Sequence, residues 1–379
     1  MPKTTINHHR KIKRCNSSNN ARNWADLPKE LLEKIGEHLN SRIDVFRYRA
    51  VCSSWRSAIS LSPSSYINDF TFPFIVCRLE HSRRSCLVKL IETNQGGFKV
   101  LNPLTIPKAE FICGKSLNLL DCRLIELGEG LHFDSSIDYG ELNVKKAVLF
   151  RGFGIVAIYD YVKLGFRGFG DDNWTNLGNN SKILFTDIVL CQGEVYVMDK
   201  NGNVYWIDKF MNVVKYLPRL NLSGQQKNLV ESEGQLYVVD TYSRLWTEFD
   251  EFGELFDSGT EKVDMKVYKL DDKWGIWVQV TSLNDRVFVL GEDVCFSVSV
   301  NDFPGCEGNC IYFIDRLSVR DAAFSHRLVR YHDAKIGYYV PRVLKLDDRV
   351  MRDIQVSSPS LKRLFSPPKD CFCSTLSCP

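Results

Sequence analysis

The segment WADLPKELLEKIGEHLNSRIDVFRYRAVCSSWRSAIS, residues 24–60, decides the fold of the N-terminal part of the chain. Its pattern predicts three short helices. Pro28 suits the first position of the first helix, where a missing N–H costs no hydrogen bond. Asp44 is placed to cap a second helix over residues 45–50. The serine pair 53–54 would cap a third.

These three predicted helices carry more apolar side chains than so short a segment can bury. A unit of this size has too little interior volume to remove them all from water. Part of the apolar surface should therefore be a docking face for a partner. The apolar residues in question are Leu27, Leu31, Leu32, Ile35, Leu39, Val45, Phe46, Val51, Trp55 and Ile59.

The same segment resembles the F-box family, at the spacing of that family. The resemblance rests on Leu27-Pro28, Leu31-Leu32, Ile35, Leu39, Asp44, Arg47, Val51-Cys52 and Trp55-Arg56. It implies a small all-α F-box of three helices that binds the Skp adaptor of a Skp–cullin–F-box (SCF) ubiquitin ligase.

Carried over position by position, the resemblance also implies which residues face the adaptor or shape that face. They are Leu27, Pro28, Leu31, Ile35, Val51 and Trp55. An alternative stays open for single residues. Some of the apolar side chains, above all Leu39 and Trp55, would only fill the small core of the module.

Beyond residue 66 the helical patterns give way to short runs rich in Val, Ile, Tyr, Phe and Trp, separated by Gly, Asn and Asp. Such runs are typical of β-strands, and several are arranged as hairpins. The predicted hairpins join residues 86–92 to 98–101, 194–199 to 203–207, and 235–240 to 245–249. The second contains Asn201-Gly202, a strong hairpin turn signal.

The predicted strands also resemble one another. GEVYVMD at 193–199 matches GQLYVVD at 234–240 at a shift of 41 residues, with weaker copies at 155–160, 286–291 and 309–315. A repeat of about 40–50 residues with four strands is typical of a propeller blade. We therefore predict a large all-β domain that forms a β-propeller of about five to seven blades. A β-sandwich array is the main alternative.

A second resemblance covers this β domain. It rests on Asn102-Pro-Leu-Thr105, Asp172-Asn-Trp-Thr175, residues 228–236, Val267-Tyr-Lys-Leu270 with Trp274, and DFPGCEGNCIYF at 302–313. These motifs resemble the C-terminal domain, often described as kelch-like, of a large group of plant F-box proteins. The resemblance implies a family but no substrate.

The predicted organisation of the chain has four parts. They are a disordered basic leader (1–22), the F-box (23–65), a β-propeller-like substrate-recognition domain (70–365) and a flexible tail (366–379). The leader has six basic residues and no acidic one, which suits nuclear import or nucleic acid. We favour a solvated leader and expect no nucleic-acid partner. No apolar run is long enough for a membrane span, and the polar N-terminus predicts the nucleus, the cytoplasm or both.

No catalytic motif stands out, so we expect no enzymatic activity of the chain itself, no cofactor and no metal site. The chain lacks GxSxG and HExxH, and no Gly-Lys-Ser/Thr follows its glycine-rich segments. The cysteines at 306, 310, 371, 373 and 378 lack the paired spacing of a zinc site; free thiols are the preferred interpretation. The aspartates that end the repeats, Asp160, Asp199, Asp240 and Asp315, would bind cations only if they converged, and turn capping is preferred.

Together these features favour a substrate receptor of an SCF ligase. Its F-box would bind the Skp adaptor and through it cullin, while loops on the rigid β domain would bind an unidentified protein substrate. Such a receptor acts by proximity and needs no catalytic residue. The alternative is an F-box scaffold or nuclear regulator without ubiquitination activity. A propeller hydrolase or carbohydrate binder is a distant third hypothesis.

Overall fold

We analysed a computed structural model of the 379-residue chain. The structure describes residues 24–39, 42–59, 71–81, 84–92, 98–104, 123–133, 144–151, 153–160, 162–169, 171, 173–178, 183–216, 220, 222–244, 247–249, 255–257, 262–271, 273, 275–303, 306–317, 338–354 and 364–365. The predicted leader and tail lie outside these residues. The chain divides into two units, Met1–Ile59 and Ser60–Pro379.

The first unit consists of three short α-helices, as predicted. A 3-10 turn at Trp24–Asp26 precedes them. The helices are α1 (Lys29–Gly36), α2 (Arg42–Ala50) and α3 (Ser53–Ala58). In the described part of the chain, no helix has the length and apolar character that a membrane crossing requires.

Pro28 lies just before α1, one position outside the first helical position predicted for it. It is the N-cap residue, with φ −53° and ψ 144°, and not the first helical residue. Its carbonyl oxygen accepts hydrogen bonds from the backbone N–H groups of Leu31 and Leu32, at 3.1 and 3.2 Å. Pro28 therefore starts the helix through its backbone carbonyl, and its side chain makes no capping hydrogen bond.

The predicted caps of the other two helices are wrong. Because α2 begins at Arg42, Asp44 lies inside its first turn, where its carboxylate pairs with Arg47 at 3.1 Å. Ser53 is the first residue of α3, and Cys52 occupies the cap without a side-chain hydrogen bond. A carboxylate in the first turn still interacts favourably with the helix dipole, which explains why the sequence pattern resembles a cap.

The core of the helical unit is small. Its buried side chains are Leu32, Ile43, Phe46 and Tyr48. The hydroxyl of Tyr48 donates a hydrogen bond to the carbonyl oxygen of Leu32 at 2.8 Å, which ties α2 to α1. Gly36 lies against Ile59 so closely that a Cβ at this position would overlap the Ile59 side chain. Glycine at the end of α1 thus allows the segment after α3 to pack against it.

Among the described residues, the second unit contains five β-sheets of four or five strands, which are the blades of a propeller, and one separate two-stranded sheet. Blade 1 consists of β1 (Thr71–His81), β2 (Arg84–Glu92), β3 (Phe98–Leu101) and β4 (Arg123–Phe133). Blade 2 consists of β5 (Val144–Phe150), β6 (Gly154–Tyr159), β7 (Lys163–Gly168) and β8 (Thr175–Asn176). Blade 3 consists of β9 (Phe185–Cys191), β10 (Glu194–Asp199), β11 (Val204–Ile207) and β12 (Val213–Lys215).

The last two blades are less regular. Blade 4 consists of β13 (Gln226–Ser232), β14 (Gln235–Arg244), β17 (Lys262–Asp271) and β18 (Ile276–Val280), with an inserted hairpin of β15 (Thr247–Phe249) and β16 (Leu255–Asp257). Blade 5 consists of β19 (Arg286–Leu290), β20 (Cys295–Ser299), β21 (Cys310–Leu317), β22 (Tyr338–Lys345) and β23 (Met351–Asp353).

The innermost strands of the five blades close into a ring. In cyclic order, β4 contacts β5, β5 contacts β9, β9 contacts β13, β13 contacts β20, and β20 contacts β4. Apolar side chains pack between adjacent blades, including blade 5 against blade 1. The predicted propeller is therefore confirmed with five blades, and the β-sandwich alternative is excluded.

Two of the three predicted hairpins are confirmed, β2 with β3 and β10 with β11. The third is wrong, because β14 continues to Arg244 and pairs with β17, while β15 pairs with β16. The reason lies in the residues that follow each matched motif. Gly202 turns the chain after β10 with φ +79°, whereas the corresponding residues 241–244 contain no glycine or asparagine and extend the strand.

The irregular spacing of the repeats also has a structural cause. The copies at 286–291 and 309–315 are not two blades, because β19 and β21 belong to one sheet and pair in parallel. Strand β20 intervenes in the chain and forms the inner edge of that sheet. The short interval between these two copies therefore reflects one blade with an inward hairpin.

Candidate functional site

The first candidate site is an apolar surface on the helical unit. Leu31 is 50% exposed and Ile35 38% exposed, and they lie one turn apart on α1. Leu32, the next residue after Leu31, is only 1% exposed. The single apolar face expected for α1 is thus divided into a buried side around Leu32 and a water-exposed side with Leu31 and Ile35.

Four of the six predicted adaptor residues are exposed in the structure. The exposed ones are Pro28, Leu31, Ile35 and Val51, and the half-buried ones are Leu27 and Trp55. We call Leu31, Ile35 and Val51 the exposed apolar set. Trp24 is a further exposed apolar residue of this unit, at 70% exposure. It was not among the predicted adaptor residues.

Trp55 packs within its own unit. Its ring centroid lies 4.6 Å from that of Tyr48, and its Nε1–H donates to the carbonyl oxygen of Trp24 at 3.0 Å. Burial raises the pKa of the Tyr48 hydroxyl, which stays protonated as the donor to Leu32. These contacts favour the alternative interpretation of Trp55, as a residue that completes the small core.

Two arginines hold α2 and α3 together. Arg49 donates from Nη1 to the carbonyl oxygens of Arg56, at 2.9 Å, and of Ile59. Arg56 donates in return from Nε to the carbonyl oxygen of Arg49 at 3.2 Å. Helix ends leave carbonyl groups without partners, and guanidinium groups satisfy them here. The connection that carries Val51 is therefore fixed from both sides.

A second candidate lies at the centre of the propeller. Lys146 of β5, Asp187 of β9 and Asn228 of β13 follow one another at intervals of 41 residues on three successive inner strands. The Lys146 Nζ atom lies 2.5 Å from the Asp187 Oδ1 atom, and both side chains are almost fully buried. The Asp187 Oδ2 atom accepts a hydrogen bond from the Leu229 N–H at 2.6 Å. Blades 2, 3 and 4 are thus joined through one carboxylate.

Cys295 of β20 adds blade 5 to this group. Its Sγ atom lies 3.6 Å from Lys146 Nζ and 3.5 Å from Asn228 Nδ2. Burial would lower the pKa of Lys146, but Asp187 and Cys295 outweigh it and hold the pKa above its ordinary value. Burial raises the pKa of the Cys295 thiol to about 11. The four residues, which we call the axis cluster, are a structural ion pair with a protonated thiol, because a nucleophilic cysteine requires a lowered pKa.

The axis cluster was missed in the sequence, although the interval of its members equals that of the strand repeat. The aspartates that end the repeats behave in two ways. Asp199 caps a turn, as expected, and accepts from the N–H groups of Asn201 and Asn203 at 2.8 Å. Asp240 lies inside β14 and accepts from the Gly224 N–H at 3.2 Å. Within the residues described, no group of three or more His, Cys, Asp or Glu side chains is arranged to hold a metal ion.

Cys306 and Cys310 each have a local partner. The Cys306 Sγ atom lies 3.3 Å from the Tyr312 hydroxyl, and the Cys310 thiol donates to the Gly308 carbonyl oxygen at 3.3 Å. Burial raises the pKa of both thiols, that of Cys310 to about 12. Both environments therefore favour the protonated thiol. The cysteines of the predicted tail lie outside the described residues.

Three short helices followed by a closed ring of five blades define an F-box protein with a C-terminal β-propeller. The chain matches the F-box-like family over residues 24–64 and the KIB1-4 beta-propeller family over residues 60–340. The second match covers most of the chain. The chain therefore belongs to the KIB1-4 beta-propeller family, with an F-box-like domain at its N-terminal side.

The relatives of this chain include F-box proteins of Arabidopsis thaliana. The putative F-box protein At1g65770 is 28% identical over 335 residues, which cover 78% of this chain and 90% of the relative. F-box protein SKIP23 is 28% identical over 340 residues, covering 76% and 83%. The putative F-box protein At3g25750 is 26% identical over 383 residues, covering 91% and 98%. The similarity agrees with a substrate-recognition role, since F-box proteins are in general adaptor subunits and not enzymes.

Proposed function

We propose that this chain is the substrate-recognition subunit of an SCF ubiquitin ligase. The F-box binds the Skp adaptor, and through it cullin, while the propeller binds a protein substrate. The observation that carries this proposal is the division of α1, in which Leu32 is buried and Leu31 and Ile35 are exposed to water. An apolar pair that the described residues of its own unit leave exposed is suited to a partner surface.

The energetics support docking at this pair. Full burial of a leucine or isoleucine side chain contributes about 1.5–3 kcal/mol relative to full exposure. Because Leu31 and Ile35 are about half covered already, a partner that covers the rest gains about 1 kcal/mol or more from each. The hydrogen bond from the Tyr48 hydroxyl to the Leu32 carbonyl oxygen ties α1, which carries this pair, to α2. An ordered surface lowers the entropic cost of binding.

The ligase role needs no catalytic residue in this chain. A receptor raises the effective concentration of a substrate lysine near the conjugating enzyme, and this is a contribution of geometry. The rigid five-bladed scaffold suits the purpose, because recognition loops work best on a framework that does not move. The alternative, a scaffold that binds the adaptor without directing ubiquitination, differs only in this last step.

Adaptor binding tests the proposed surface. We expect the double variant Leu31→Ala/Ile35→Ala of the full chain to bind a purified Skp adaptor about 10–100-fold more weakly, since each truncation removes apolar contact area. The matched control is Leu184→Ala/Ile276→Ala, which truncates the same two residue types at exposed positions of the propeller. Kd values from biolayer interferometry and circular dichroism spectra of both variants complete the measurement.

An unchanged adaptor Kd in the Leu31/Ile35 variant, or an equal loss in the control, would contradict the proposed surface. A second measurement separates the receptor from the scaffold. With cullin, adaptor and conjugating enzyme reconstituted, a partner that copurifies with the propeller should become ubiquitinated by the wild-type chain and not by the Leu31/Ile35 variant. Adaptor binding without any ubiquitinated partner would reject the receptor role and retain the scaffold.

A further inference from the structure

The outer edge of blade 3 exposes several large apolar side chains. Phe210 is 73% exposed, and Val214 and Tyr216 are 38% and 41% exposed. Phe210 lies in the turn between β11 and β12, while the other two lie on β12 and just after it. Single exposed apolar residues are normal on a protein surface, but three within seven consecutive positions mark a surface suited to a partner.

These side chains continue an apolar face of the blade. Val214 lies opposite Trp206 on β11, and Trp206 lies opposite Tyr196 on β10. The ring of Tyr216 packs edge-on against that of Tyr196, with 5.3 Å between the ring centroids. Because side chains alternate between the two faces of a sheet, Val214 and Tyr216 point to the same side. An apolar strip therefore runs along one face of the blade up to its outer edge.

The backbone of β12 is open on one side. This strand is the outermost one of its sheet, and its neighbour is β11. The Tyr216 N–H donates to the Val204 carbonyl oxygen across this pair at 2.9 Å. Backbone groups of an antiparallel strand point alternately to its two sides, so those of Lys215 point away from β11. Within the residues described, no further strand pairs with that side of β12.

The charges at this edge are mostly positive. The segment 200–216, which the structure describes in full, has three exposed lysines and one acidic residue. Asp208, the acidic residue, accepts hydrogen bonds from the N–H groups of Phe210 and Asn212 in its own turn, at 2.8 and 2.9 Å. Three lysines minus one aspartate give the segment a net charge of +2, which suits an acidic partner. The lysines are Lys200, Lys209 and Lys215.

The two faces of β12 differ in chemistry. Lys215 lies between Val214 and Tyr216 in the chain, so its side chain points to the opposite face of the sheet. An extended segment that paired with β12 would alternate in the same way, with apolar side chains on one face and acidic side chains beside Lys215. A lysine in an edge strand opposes pairing with most other edges, and an acidic neighbour removes that barrier.

We propose that β12 is a docking edge for an extended protein segment with alternating apolar and acidic residues, which adds to the four strands of blade 3 as a fifth. The inference deepens the proposed receptor role, because it names the chemistry of the substrate, and it rests on that role. A single-stranded nucleic acid fits less well, since its binding depends on many phosphate contacts and this edge offers three lysines.

Four fluorescein-labelled probes test this chemistry on the full-length chain by fluorescence anisotropy. The peptide EFEVEFE alternates as proposed, EEEEFVF has the same composition without the alternation, KFKVKFK reverses the charge, and a decamer of uridine represents nucleic acid. We expect a Kd of about 0.1 mM for EFEVEFE. The other three probes should bind at least about 5-fold more weakly.

Truncation variants assign the binding to this edge. Val214→Ala/Tyr216→Ala removes apolar contact area and should weaken EFEVEFE binding about 10-fold. Its matched control is Ile276→Ala/Val278→Ala, which truncates two exposed apolar side chains on β18, the outer strand of blade 4. The control should bind EFEVEFE as the wild type does.

Charge reversal gives the sharpest test. Lys209→Glu/Lys215→Glu should weaken EFEVEFE binding about 10-fold and let KFKVKFK bind more tightly than EFEVEFE. The matched control Lys163→Glu/Lys273→Glu reverses two exposed lysines on blades 2 and 4 and should leave both affinities unchanged. Because the lysines are exposed, salt should screen the interaction, and binding to the wild type should weaken about 3-fold from about 50 to about 500 mM NaCl.

Absence of EFEVEFE binding, equal binding of EFEVEFE and EEEEFVF, tighter binding of the uridine decamer, or wild-type affinity in the folded edge variants would each overturn the proposal. If Val214→Ala/Tyr216→Ala does not fold, the four probes and the charge-reversal variant decide. The adaptor Kd of the same samples separates the two proposals. Peptide binding without adaptor binding would reject the receptor role and retain the docking edge, and the reverse result would reject the docking edge alone.

Discussion

The two units of this protein differ in which side chains they bury and which they expose to water. The helical unit leaves Leu31 and Ile35 in water, whereas the propeller buries the charged pair Lys146 and Asp187 at its centre. Size explains the first, because three short helices have little interior volume. The closed ring explains the second, because inner strands of adjacent blades bring opposite charges together.

A second buried ion pair shows the same principle at the closure of the ring. Lys89 of β2 in blade 1 and Asp293, just before β20 in blade 5, form an ion pair, and their side chains are 0% and 5% exposed. The propeller therefore links its first and last blades with a partnered charge. Among the described residues of the helical unit, the exposed apolar set stays open to water. This contrast supports the proposal that the set binds a partner.

The largest expected effect comes from breaking the central pair. Asp187→Leu leaves the buried Lys146 ammonium without its carboxylate and should lower the free energy of unfolding by about 3–5 kcal/mol. The double variant Lys146→Met/Asp187→Leu should recover most of this loss, since no buried charge remains unpaired. Urea unfolding followed by tryptophan fluorescence measures both. A loss below about 1 kcal/mol in the single variant would show that the pair contributes little.

How much of this arrangement the sequence predicts depends on the kind of feature. Turn residues and strand repeats are local, so the hairpin closed by Gly202 and the match of β10 with β14 are predicted correctly. The parallel pairing of β19 with β21 is not, because it depends on β20 turning inward. The axis cluster is not predicted either, because its residues come from four blades and meet only once the ring has closed.

The same limit applies to the adaptor surface. Leu31 and Leu32 are adjacent and chemically identical, and both continue the apolar pattern of α1. Periodicity places them within 100° of each other on a helix, but it does not say which one the other helices cover. The hydrogen bond from Tyr48 to the Leu32 carbonyl and the packing of α2 decide this, and both depend on tertiary structure.

Substitutions at these two leucines should have effects of intermediate size on stability, and they test the division of α1. Leu32→Ala removes a buried side chain from the small core and should cost about 2–5 kcal/mol. Leu31→Ala changes a half-exposed side chain and should cost less than about 1 kcal/mol. Hydrogen exchange of the amides in residues 29–59 of the full chain measures both. Equal protection in the two variants would contradict the division of α1 into a buried and an exposed side.

The smallest expected effect is a loss of stability in alkaline solution, which the buried Cys295 thiol of the propeller would cause. The Cys295 pKa is raised by burial from 9.0 to about 11, so the folded propeller keeps this proton after the unfolded chain has lost it. The unfolded state then binds fewer protons between these two pH values, and stability falls as the pH rises through that window. Cys295→Ser keeps a hydrogen-bonding group that does not titrate there, so its stability should fall less, by about 1 kcal/mol near pH 10. Urea unfolding at neutral and alkaline pH measures the slopes, with Cys52→Ser in the helical unit as the matched thiol replacement. Parallel slopes for wild type and Cys295→Ser would mean that the thiol at the axis is not shielded from water.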